Sequence, residues 1–319
     1  VRSYRKSAIF ALVPDAAPPS DRASLLAAHL ALAGAQIAFG LFPVFGTILF
    51  EPGGLSPIAV VAWRLAAGAA ILVALAAAVH GRAALPARAD LPRIAAAACL
   101  GVALNQWLFL EGLARSTPIN AGLMICLIPV FTVGLATAAG LETFSATRVT
   151  GVLVALAGTL FLILDRGFTT LGRYGLGNLI LVVAALSYSG YLIIAKPLLR
   201  RYPPLVVIAW AYAFSLVFVP FFARGERLTP EAGHAAAWWA LGYTIAFPTV
   251  LAYLLNAFAL ARVRASTTAI YIYAQPLIAS LASWVVFRER PTPAMLLAAP
   301  ALFAGIWLAS RQPRKAATA

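Results

Sequence analysis

The sequence predicts an all-α membrane protein of ten transmembrane helices arranged as two inverted five-helix repeats, and three observations predict it. The 319-residue chain is 62% hydrophobic and 11% charged, with a mean hydropathy of +0.90, far more apolar than a soluble domain. Ten apolar stretches have roughly the ~20 residues needed to cross a hydrocarbon core about 30 Å thick. The second half also repeats the first at a fixed offset of 147 residues. A transmembrane barrel would show short alternating segments, and none of these alternates.

The first stretch, 24–48, carries Gln36 and follows a charged tail, 1–23, that contains Pro14, Pro18 and Pro19. That tail lacks the apolar core of a signal peptide and is expected in the cytoplasm. The second, 56–80, holds Arg64, and the third, 92–112, clusters Asn105, Gln106 and Trp107. The fourth, 118–139, contains Pro129; the fifth, 147–164, contains Gly151 and Gly158, which let helix backbones approach closely. The sixth, 176–196, presents Tyr188 and Tyr191, and the seventh, 203–223, carries Trp210. Trp238 and Trp239 open the eighth, 237–261, at the level of an aromatic belt. The ninth, 265–287, carries Thr267, Tyr271 and Gln275 four residues apart and hence on one helical face. The tenth is 293–310, followed by a short cytoplasmic tail, 312–319.

Adding 147 carries Pro57 to Pro204, Trp63 to Trp210, Arg115 to Arg262, Pro129 to Pro276, Glu142 to Glu289 and Gly158 to Gly305. A shared register across such different residue types marks a duplicated half-molecule, with repeats at 24–166 and 174–311. Five crossings per copy turn the second copy over in the bilayer. Inverted repeats with a site at their interface are a recurring transporter plan. The connections are too short to house a soluble domain, so the two repeats form one cooperative unit.

The formal charge of +14 invites a nucleic-acid reading, but its distribution argues otherwise. With the N-terminus inside, 16 Lys and Arg residues fall on the inner side and seven on the outer, with Arg64 left within a helix. That is the positive-inside pattern, so both termini are expected in the cytoplasm. Anionic lipid headgroups account for the basic excess without nucleic acid. Cys99 and Cys126 fall inside helices, where a disulfide or two-cysteine metal site is not expected.

Placing Arg64 about eight residues into a membrane helix costs roughly 2.5 to 3.5 kcal/mol, so it should face a cavity or partners. It either binds helix-end carbonyls or attracts an anionic group, and its mate in the repeat is Ala211. The ninth-stretch stripe faces Asn120, Met124 and Ile128 across the pseudo-symmetry, so one wall would be polar and the other mostly apolar. Such residues either hydrogen-bond between helices or line a site for an amphiphilic substrate. Gln106, Trp107, Tyr253, Asn256, Tyr188, Tyr191 and Gln36 complete a ring of aromatic and uncharged polar groups. Aromatic faces can stack on a ring or attract an ammonium group. The substrate-binding candidates are therefore Gln36, Arg64, Gln106, Trp107, Tyr188, Tyr253, Asn256, Tyr271 and Gln275. Pro129 and Pro276 are expected to free a carbonyl one turn earlier and to kink their helices, as hinges or as static bends.

These features together resemble a known family. The duplicated layout, Arg64, the run from Gly112 through Arg115 to Pro118, Pro129, the Gly140-Leu141-Glu142 ending and the Glu289 echo are similar to EamA-type members of the drug/metabolite transporter superfamily. Within it, the chain resembles the YddG-like exporters of aromatic and other neutral amino acids. The resemblance implies ten helices, both termini inside and a substrate cavity between the halves.

No acidic metal-binding cluster, HExxH, GxSxG or glycine-lysine phosphate loop is present, so an enzyme, a metal site and a bound cofactor are not expected. Sugar-phosphate carriers call for several buried cations, and cation exporters for a buried carboxylate. Glu111 falls near the outer end of its helix and His29 near the inner surface, so proton coupling is not expected. The expectation is a monomeric inner-membrane exporter of small amphiphilic metabolites, working by alternating access without coupling. A proton-coupled multidrug or metabolite exporter, and a pore-like channel or lipid-moving protein, remain the alternatives.

Overall fold

The computed structural model describes residues 22–116, 121, 124–165, 171–287 and 293–310, and all regular structure among them is helical. In chain order the α-helices are α1 (Arg22–Leu49), α2 (Pro57–His80), α3 (Leu91–Ala98), α4 (Leu104–Ala114), α5 (Ile128–Ala138), α6 (Ala146–Asp165) and α7 (Leu171–Leu198). They continue as α8 (Pro204–Ser215), α9 (Val219–Ala223), α10 (Ala235–Thr244), α11 (Ala252–Arg262), α12 (Ala265–Ile270), α13 (Gln275–Phe287) and α14 (Pro293–Ser310). The tails, Asn120 and Glu289 lie outside the described residues.

Among the described residues, six segments are long and apolar enough to cross a bilayer: Arg22–Gly46, Pro57–Ala84, Arg88–Ala114, Tyr174–Leu198, Pro204–Ala223 and Ala235–Arg262. Ile128–Ala138, Ala146–Phe161 and Ala299–Ala309 are shorter apolar helices. Local chemistry starts and stops these elements. Ser56 caps α2 by accepting from the Ala59 amide at 3.1 Å, with Pro57 in the first turn. Gly81, at φ +52°, ends the same helix.

The 147-residue repeat reappears as packing. α1 lies along α11 and α13, while its repeat mate α7 lies along their mates α4 and α5; α2 packs on its own mate α8. The first helix of each repeat is thus held by the other repeat, which makes the halves one body. α6 and α14, the last helices of the two copies, cross at nearly touching backbones. A Cβ on Gly151 would sit 2.5 Å from the Ala309 nitrogen, and one on Gly305 would sit 2.5 Å from the Ala155 nitrogen. Small residues four apart on both helices permit that approach.

Topology sorts the connections onto two opposite faces. On one, segment 50–56 meets 224–234: the Glu231 amide donates to the Gly53 carbonyl at 2.8 Å, Ser56 donates to the Glu226 carboxylate, and Arg227 donates to the Gly54 carbonyl at 3.0 Å. Arg227 also pairs with Glu231, and that bond holds the exposed Glu231 carboxyl below its ordinary pKa. On the other face, Arg201 and Tyr202 donate to Asp90 at 3.0 and 2.7 Å. The shared tryptophans tie repeat to repeat at both faces. Trp63 Nε1 donates to the Leu228 carbonyl and Trp210 Nε1 to the Ala84 carbonyl, each at 2.6 Å.

Two of the expected continuous helices are interrupted at matched places. A π-helical turn spans Cys99–Ala103 between α3 and α4, and another spans Ile245–Leu251 between α10 and α11. At the repeat offset, Gly101 in the first turn corresponds to Pro248 in the second. Proline lacks the amide that would close an α-turn, and glycine admits a close neighbour. The Thr249 hydroxyl donates to the Thr244 carbonyl at 2.8 Å, the acceptor that the amide of Pro248 would otherwise have served.

The two symmetric prolines sit at departures from regular α-helix. Pro129 and Pro276 lie in the first turns of α5 and α13, after the turn at Cys126–Leu127 and after a 3₁₀ turn at Tyr271–Ala274, respectively. Each proline therefore stands where regular α-helix resumes, and there a missing amide costs little.

Candidate functional site

The buried polar residues converge where the two π-turns face each other. Arg64, only 5% exposed on α2, donates from Nε to the Thr249 hydroxyl at 2.9 Å and places its guanidinium 5.2 Å from the Phe42 ring centre. Tyr212 on α8 donates to the Thr249 carbonyl at 3.4 Å and accepts from Gln106 Nε2 at 3.2 Å. Arg64, Thr249, Tyr212 and Gln106 thus form one chain of contacts drawn from both repeats.

Tyr253 extends the cluster. Its ring meets that of Tyr212 edge-on at 5.4 Å, and its hydroxyl donates to the Gly101 carbonyl at 3.0 Å. A Cβ on Gly101 would lie 2.2 Å from Tyr191 Cγ, so only glycine lets that ring close on the π-turn. Tyr191 neighbours Tyr188 at 5.5 Å, and Tyr188 accepts from Asn256 Nδ2 at 3.1 Å. Asn256 sits one turn beyond Tyr253 on α11, so both face the same space.

The polar groups of this cluster are not all satisfied by protein. Gln106 Oε1 and Asn256 Oδ1 are buried without a hydrogen-bond partner. Buried polar atoms are nearly always paired, so two unpaired amide oxygens in one cluster mark a place for a ligand or water.

The remaining candidates fall elsewhere. Gln275 donates to Gln36 Oε1 at 2.7 Å, and Tyr271 hydrogen-bonds His29 at 2.7 Å. His29 and Gln36 are seven apart on α1, so two members of the ninth-stretch stripe, Tyr271 and Gln275, meet the same helix. The expected single ring is therefore two groups, a central cluster and an α1–α13 seam. Trp107 joins neither network: its ring packs against Phe222, 6.2 Å away.

Several residues of weight here went unread in the sequence. Tyr212, Thr249 and Gly101 carry the centre, and the pairing of Gly101 with Pro248 at the repeat offset was the available signal. In the sequence Glu142 is only a repeat and family marker, and Lys196 only one of the inner-side cations. The structure gives both a further place, around the turn between α11 and α12. Glu142 accepts from the Ser266 amide and hydroxyl and pairs with Arg148 at 2.9 Å, both side chains being buried. Lys196 donates to the Leu260 and Val263 carbonyls at the end of α11. The carboxylate and the ammonium each sit at the helix terminus whose dipole they complement.

A two-fold repeat of helices, joined through a polar centre, is the pattern that a family match explains. The EamA-like transporter family matches the chain twice, over residues 26–164 and 175–311. The chain belongs to this family. It is an integral multi-pass membrane protein and a transporter of the drug/metabolite class. Among curated relatives, a probable terminal-alkyne amino-acid exporter of Streptantibioticus cattleyicolor is 27% identical over 71% of this chain and 75% of its own length. An uncharacterised transporter of Bacillus subtilis, YdfC, is also 27% identical, over 79% of this chain and 81% of its own. A solved crystal structure superposes with a TM-score of 0.76 at 19% identity, covering 91% of this chain and 97% of that one, which establishes the likeness of fold.

Proposed function

We propose that this EamA-family transporter exports small amphiphilic metabolites, foremost aromatic and other neutral amino acids, across the bacterial inner membrane. It works as a monomer with both termini in the cytoplasm, by alternating access and without ion coupling. The observation that carries this reading is the central cluster, where one buried cation, Arg64, lies among tyrosines and half-satisfied amides. No carboxylate belongs to that network among the described residues. A single cation with uncharged donors and acceptors suits a neutral or zwitterionic solute better than a phosphate or a drug cation. The exporter name of the Streptantibioticus relative points the same way.

Alternating access finds support in the swapped packing, since rocking one repeat against the other would open one face as it closes the other. The helix restarts at Pro129 and Pro276 are the proposed hinges. The His29–Tyr271 contact favours a second reading, a proton-coupled exporter, because an imidazole can bind and release a proton. Counterflow in proteoliposomes tests both. Saturable exchange of labelled phenylalanine, unaltered by a pH gradient, is expected. Strict dependence on the gradient would establish coupling, and flux without saturation would indicate a pore. No saturable exchange of any amino acid would overturn the substrate assignment.

A further inference from the structure

We infer that the central cluster is polarised to take both charged ends of a free zwitterion, with Arg64 at the carboxylate end and the oxygens of Gln106 and Asn256 at the ammonium end. The inference rests on the proposed amino-acid site and adds which atoms read the head group.

The polarity follows from the hydrogen-bond directions. Tyr212 gives its one hydroxyl proton to the Thr249 carbonyl, so its oxygen accepts from the Gln106 amide nitrogen. With that donor direction the Gln106 amide presents its nitrogen to Tyr212, and Gln106 Oε1 is left as the unpaired end. Asn256 likewise gives Nδ2 to the Tyr188 hydroxyl and leaves Oδ1 unpaired. Both vacant groups are therefore acceptors, and both belong to the cluster around Tyr253, whose ring packs on that of Tyr212 and which sits one turn from Asn256. An ammonium offers three donors and no acceptor, so it matches two vacant oxygens where a hydroxyl with one proton matches one.

Arg64 stands at the other end of the same chain. Thr249 links its guanidinium to Tyr212, and Tyr212 links onward to Gln106, so two residues separate the cation from the nearest vacant oxygen. A planar guanidinium matches a carboxylate. The Tyr212 and Tyr253 rings, edge-on at 5.4 Å, supply an apolar wall beside the head group.

Tyr212 is a positioning residue in this arrangement, because it orients an amide without carrying the charge itself. In Tyr212→Phe the Gln106 amide is released and can turn its NH2 group toward the head group. The ammonium preference should then weaken while the protein stays folded.

The test measures inhibition of labelled amino-acid counterflow by L-phenylalanine, its methyl ester, which lacks the carboxylate, and 3-phenyllactate, which lacks the ammonium. Each altered compound is expected to compete about tenfold or more weakly than phenylalanine, the loss of one charge-assisted hydrogen bond. Tyr212→Phe should narrow the gap for 3-phenyllactate and leave the gap for the ester unchanged. Competition by the ester or the hydroxy acid within about threefold of phenylalanine, under one kcal/mol by the same arithmetic, would overturn the inference while leaving amino-acid transport intact. Absence of saturable counterflow for every amino acid would overturn it together with the proposed function.

Discussion

At the scale of single residues, the structure separates positions whose chemistry is visible in the sequence from those whose meaning comes from a distant partner. Arg64 announces itself, because a lone arginine inside an apolar helix has to be accommodated. Gly101 does not, since glycines are common here and only the Tyr191 ring shows why this one is needed. Gly101→Ala is expected to lower stability by about 1 to 3 kcal/mol through overpacking, read as a lower melting temperature in detergent. Glu142 makes the second case. Glu142→Gln leaves the buried Arg148 without its counter-ion, at a cost of about 3 kcal/mol, again measured by thermal unfolding. Adding Arg148→Met should recover most of that loss; no recovery would mean that the Ser266 contacts, rather than the ion pair, hold the turn.

At the scale of elements, hydropathy located the helices but smoothed over their interruptions. A π-turn closes its hydrogen bonds one residue further along than an α-turn and shares the same apolar composition, so the third and eighth stretches read as unbroken. The same limit applies to Pro129 and Pro276, whose sequence positions are symmetric but whose place at helix starts depends on the turns before them. If these restarts act as hinges, Pro276→Ala should lower the maximal counterflow rate and leave the half-saturating concentration unchanged. A change confined to the half-saturating concentration would place Pro276 at the substrate instead. The crossing of α6 and α14 makes a separate prediction. Gly305→Leu should push the helices apart, seen as loss of the monodisperse peak in size-exclusion chromatography, whereas Gly134→Leu meets open space and should be tolerated.

At the scale of the whole molecule, each face is held by an arginine–carboxylate pair and a tryptophan–carbonyl bond. The clasp between 50–56 and 224–234 contains Glu231, whose pKa lies below the ordinary 4.5 because of Arg227. A depressed carboxylate contributes stability that is fully present above pH 4.5 and is lost as pH falls through the lower, folded value. Hydrogen exchange of 224–234 should therefore stay constant from neutral pH down to about that value, after correction for intrinsic rates, and accelerate only below it. Acceleration already well above pH 4.5 would exclude Glu231 as the controlling group.

The sequence by itself determined the membrane location, the helical class and the duplication, because each is written in composition, length and offset, which act locally along the chain. It also supplied most members of the central cluster, since polar groups in apolar helices are costly and hence conspicuous. Only the tertiary structure decided how they group. Gln36 and Gln275 pair with each other on a seam, Trp107 turns to Phe222, and Tyr212 with Thr249 joins Arg64 to Gln106. Those choices depend on contacts between residues far apart in the chain, made where each repeat lends its first helix to the other. No local pattern encodes which side chain will stand opposite.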